Sequence, residues 1–208
     1  MSLITNWGYE LPELDLLPDM LDGLEYDQLT GNRYAGDSRV PMNIKAAGAA
    51  IRNYVGWHLY PSALCRLDMA MDNGRITFVG KDILIQLPAK FVTGVESITI
   101  KGEECENFTI ESNGILRVYD VSFCGLKRYS RIVILYTAGL TDGMMDGIKE
   151  LVAHRVTHAA ASSNGVTSEA AGGVSVTYNA NWINNARATA LPDDNKEVLE
   201  PYRVEGVF

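Results

Sequence analysis

The spacing of apolar residues changes twice along this chain, and few folds accommodate that order. Ile44, Ala47, Ala50, Ile51, Tyr54 and Val55 recur as one face of a helix. Between residues 76 and 137 the apolar runs are short and strand-like, at 76–79, 83–87, 95–100, 108–119 and 131–137. Helical spacing then returns through Ile148, Leu151, Val152, Arg155, Val156 and Ala159. A helix, a block of strands and a second helix predict one helical unit with a β segment looped out of it. The expected fold class is therefore α+β: a helical bundle with an inserted small antiparallel β domain and extended terminal arms. Its parts are an acidic arm and loop over 1–40, the bundle over 41–65 plus 141–165, the inserted β domain over 66–140, and a carboxy-terminal arm over 166–208.

Local signals fill in this outline. Pro41 opens the first helix, and Gly56 with Pro61 ends it. Alanines 46, 47, 49 and 50 with Gly48 let another helix approach closely. Asn113-Gly114 between two β-runs predicts a hairpin with a type I′ turn, because both residues tolerate positive φ. The run RIVILYT at 131–137 is nearly continuous and apolar, which predicts a central strand. Asp142 is a candidate cap for the second helix. A short turn is expected near 19–24, a β-run at 174–178, a loop or frayed helix over 179–190 and one or two helical turns over 192–200. Tyr54, Trp57 and Tyr60 fall where the first helix hands over to the β segment. Large rigid bodies with polar tips suit a helix–sheet junction, and the three are assigned to it.

Composition narrows the function. The 208 residues carry a net charge of −8, against the Lys and Arg excess that phosphate-gripping proteins need. Residues 1–30 hold seven acidic residues and no Lys or Arg. Cys65, Cys105 and Cys124 form no CxxC pair, which predicts reduced thiols and no zinc knuckle. No run approaches the roughly 20 apolar residues of a membrane helix, and the first residues do not read as a signal peptide.

Catalytic constellations are not apparent. GxSxG, Walker and GxGxxG patterns are missing. His154 and His158 have the i,i+4 spacing of a metal pair, but no Glu follows the first His and Arg155 stands beside them. Asp68, Asp72 and Asp82 fit no calcium loop, since Ile83 stands where the bidentate Glu belongs. His58 reads as a polar tip at the helix end. The expectation is no catalytic residue, no metal and no cofactor.

The order of motifs carries more than any one of them. IRNYVGWHLYP is followed by ILIQLP, VESITIKG, NGIL and RIVILYTAGL, then by IKELVAHRVTHA, TSEAAGGVSVTY and LEPYRV. This order, over about residues 41–203, resembles the head–tail connector (adaptor) proteins of tailed bacteriophages. The resemblance implies a non-enzymatic virion protein of the neck, made in the host cytoplasm. It would form a homo-oligomeric ring of about twelve copies under the portal protein and extend the DNA channel. Genomic DNA would pass through the lumen without sequence-specific binding, and a tail-side stopper or completion protein would dock below; no membrane is involved. The matching end, Glu200, Pro201, Tyr202 and Arg203, would reach the portal, with Val204 and Phe208 as apolar anchors. Two other readings stand beside it: another head-completion or tail-terminator protein, and a small-ligand or enzyme module around Tyr54, Trp57 and His58.

Overall fold

The computed structural model describes residues 3–71, 74–121, 130–162, 168–171, 174–177 and 191–204. The chain divides into two compact units. One takes the chain through Leu17, then Gly56–Thr141, and then from Tyr202 onward. The other takes Pro18–Val55 and Asp142–Pro201.

The first unit is built from two antiparallel sheets. The larger has six strands, in the order β1 (Leu3–Ile4), β2 (Glu10–Leu11), β3 (Ala63–Ala70), β10 (Arg131–Ala138), β6 (Val92–Ile100) and β7 (Glu103–Glu104). The smaller has four: β4 (Ile76–Val79), β5 (Asp82–Gln86), β9 (Ile115–Val118) and β8 (Phe108–Ile110). Strand β10 is central, as the apolar run predicts, yet only one of its faces is fully buried. Ile132, Ile134, Tyr136 and Ala138 are wholly inaccessible, while Val133, Leu135 and Thr137 are half-buried. Opposite them on β3, Cys65, Leu67 and Met69 face the same core through the register Tyr136↔Cys65, Ile134↔Leu67 and Ile132↔Met69. Ile83, Ile85, Leu116 and Val118 form the buried face of the smaller sheet.

The second unit carries α1 (Gly23–Leu29), α2 (Val40–Val55), α3 (Asp146–Ser162), the hairpin β11 (Ser168–Ala171)–β12 (Val174–Thr177) and α4 (Asp193–Leu199). Helix α2 buries Val40, Ile44, Ala47, Gly48, Ile51 and Val55 at helical spacing and packs on α3. At Gly48 an added Cβ would lie 3.7 Å from Met20, so the small-residue stripe receives the Met20 side chain. Asp22 caps α1 by accepting from the Glu25 amide at 2.7 Å. Asp142 opens a 3-10 turn, Asp142–Met144, that leads into α3.

This architecture overturns the expected helical bundle with a small inserted β domain and extended arms. Ten strands form two antiparallel sheets that make a unit of their own, so the β part is no small insertion into a bundle, and the described helices number four. The sheets recruit what the sequence reading treated as an arm: β1 and β2 add to the β3 edge, and Tyr9 and Leu11 are buried. Strands of two or three residues, such as β1, β2, β7 and β8, complete no period, so alternation cannot reveal them. The carboxy-terminal stretch is likewise packed, with Leu199 and Val204 buried. The hairpin at 108–118 forms, but its register Ile110↔Leu116 leaves a loop longer than two residues. The turn is a 3-10 turn, Ser112–Gly114, with Gly114 at φ +73°. Asp72, Cys124 and residues 179–190, which the sequence analysis names, lie outside the described residues.

Candidate functional site

Helix α2 stops at Gly56, whose φ of +80° a side chain would strain. The next residue, Trp57, is wholly buried and donates its indole N–H to the Tyr202 carbonyl at 2.7 Å. Phe91 lies against the Trp57 ring, with centroids 6.3 Å apart and planes 14° from parallel. Tyr202 stacks on Phe91 at 5.6 Å and 28°. Three rings and one hydrogen bond thus fix the start of the carboxy-terminal segment to the β unit. Val204 is 4% exposed, and its carbonyl lies 3.8 Å from where a Cβ on Gly56 would stand. Arg203, between these two held residues, is exposed.

The remaining predicted residues separate by unit. Tyr54 belongs to the helical unit and donates its hydroxyl to Glu200 at 2.7 Å. Glu200, Pro201 and Tyr202 form a 3-10 turn, with Glu200 and Pro201 exposed. Tyr60 is half-buried in the β unit, before a cis bond to Pro61. Phe208 lies outside the described residues.

His58 has a structural occupation. Its backbone N–H donates to the Tyr9 hydroxyl oxygen at 3.0 Å, and that hydroxyl lies 2.7 Å from Nδ1. Its Nε2 lies 3.1 Å from the Ala138 carbonyl. A neutral ring protonated on Nε2 satisfies all three contacts: Tyr9 O–H donates to Nδ1, and Nε2–H donates to Ala138. With Trp57 and His58 wholly buried, neither is presented to a small ligand.

Other reactive types are muted or structural. Burial pushes the Cys65 thiol up to about 12 and holds the Tyr136 hydroxyl well above the ordinary phenol value. The hydrogen bond from Arg131 holds the Asp68 carboxyl below its usual range, and Arg66 adds to this. Glu10, Arg66, Asp68 and Arg131 form a charge ladder across β2, β3 and β10. A cleft of about 350 Å³ is lined by Lys101, Glu103, Glu104, Cys105, Glu106 and Asp120. Among the described residues no three His, Cys, Asp or Glu converge as metal ligands, and no helix is long and apolar enough to cross a membrane.

Sequence reasoning found Trp57 and Tyr202 separately and missed Phe91, which joins them. Phe91 sits alone after Lys90 at φ +53°, and its two partners are distant in the chain. Tyr9 was missed for the same reason. The family model described as "Head completion protein" matches residues 22–204, from the cap of α1 to the last held residue of the carboxy-terminal segment. Comparison with curated proteins gives no match.

Proposed function

The chain belongs to the head completion protein family, a structural component of the phage virion, and from that premise we propose that it is the adaptor between portal and tail. Copies assemble as a ring, about twelve, beneath the portal protein, extend the DNA channel and offer a surface to the tail-side completion protein. The ring is held by heterologous contacts that must close on themselves. The net charge of −8 suits a lumen along which DNA slides without being gripped.

The observation that supports this most is the anchored carboxy-terminal segment. Tyr202 and Val204 are held by the chain's own Trp57, Phe91 and Gly56, so Arg203 and the residues after Val204 are delivered from a fixed point. A peptide presented this way loses less conformational freedom on docking than a free tail does. Arginine and aromatic residues are the types that dominate interface energies. In this reading Arg203 and Phe208 touch the portal, Glu200 and Pro201 flank the contact, and Tyr202 and Val204 position it. Tyr54 sets Glu200 through its hydroxyl.

The experiment is co-sedimentation of purified portal with the wild-type chain, with Arg203→Glu, and with a chain ending at Val204. Both variants leave the packed core intact. The proposal expects wild-type binding and loss of at least tenfold in each variant. Undiminished binding by both removes the carboxy-terminal segment from the interface.

A further inference from the structure

Helix α3 carries two histidines one turn apart, His154 and His158, at the spacing that the sequence reading set aside. The structure brings their Nε2 atoms to 3.0 Å, with ring centroids 4.2 Å apart. His154 is exposed and His158 half-exposed, so the pair opens to solvent. We propose that His154 and His158 form a bidentate surface site for a divalent transition ion that imidazole suits, such as Ni2+ or Cu2+.

The bite distance carries the argument. Imidazole nitrogens bind such ions at about 2.0–2.1 Å. Two such bonds to one ion hold their nitrogens about 2.9–3.4 Å apart for angles at the metal of about 90–109°, and the two Nε2 atoms already stand 3.0 Å apart. One ring now donates its Nε2–H to the other's lone pair, and binding through both Nε2 atoms moves that proton, through solvent, to the donor ring's Nδ1. Arg155, whose charge counted against a cation, is 3% exposed. Glu150 stands one turn before His154 and adds negative charge along the same stripe.

The test uses the full chain and Ni2+ alone. Calorimetric titration is expected to show one site in the wild type, weakened at least tenfold by His154→Asn and by His158→Asn. The chain has three histidines, so their imidazole NMR signals give a second readout on unmodified protein. Substoichiometric Ni2+ is expected to broaden the signals of His154 and His158 and spare that of buried His58. Ni2+ affinity undiminished from the wild type in both variants, or broadening that treats the three alike, overturns the proposal.

Discussion

Trp57 links the carboxy-terminal segment to the β unit through one polar atom and one ring face, and the two are separable. Trp57→Phe keeps a ring against Phe91 and removes the donor to the Tyr202 carbonyl. The expected loss is about 1–3 kcal/mol, the cost of a buried acceptor left unmet. It is read from the urea midpoint, with faster amide exchange confined to residues near 202–204. Gly139 is a harsher case. It sits at φ +128°, and a Cβ there would stand 2.3 Å from the Pro61 carbonyl oxygen. Gly139→Ala forces the backbone apart where Leu140 bonds Leu59, so a loss above about 2 kcal/mol is expected by the same measurement. Asp68 sets a pH dependence. Its carboxyl has a lower pKa folded than unfolded, so its contribution is present above the unfolded value and fades as pH falls through the folded one. Arg131 is largely exposed, so solvent screens the pair and its contribution is small. Asp68→Asn should lower stability at pH 7, and its difference from wild type should shrink as pH drops below 3.8, the ordinary Asp value.

Among the elements, legibility followed length. Helices α2 and α3 were readable because 16 and 17 residues give several turns of period. Strand β10 was readable as central because eight residues of β-branched and apolar side chains admit little else. Its alternation was not readable, since Val133 and Leu135 are as apolar as the residues they separate. The sheet edge at β1 and β2 had no local signal; two-residue strands exist only because β3 offers them a partner. The aromatic stack was half-legible: Trp57 and Tyr202 announced themselves by type, but nothing near Phe91 marks it as their bridge. One consequence belongs at this scale. Leu11 on β2 is wholly buried, so Leu11→Ala should cost about 2–4 kcal/mol in equilibrium unfolding. A value near zero would return residues 3–11 to the status of a loose arm.

At the scale of the whole molecule, the family match makes this chain a head-completion component of the phage virion, and the proposed adaptor role adds contact with the portal while DNA passes an acidic protein. His58, Cys65 and Tyr136 are committed to the core. The account rests on where the carboxy-terminal segment points in the assembled particle. Cryo-electron microscopy of purified portal mixed with this chain tests that directly. The predicted map shows one closed ring of copies on the tail-facing end of the portal, with Arg203 and the residues after it against portal density. A ring whose carboxy-terminal ends face the tail side, or copies bound elsewhere on the head, would contradict it.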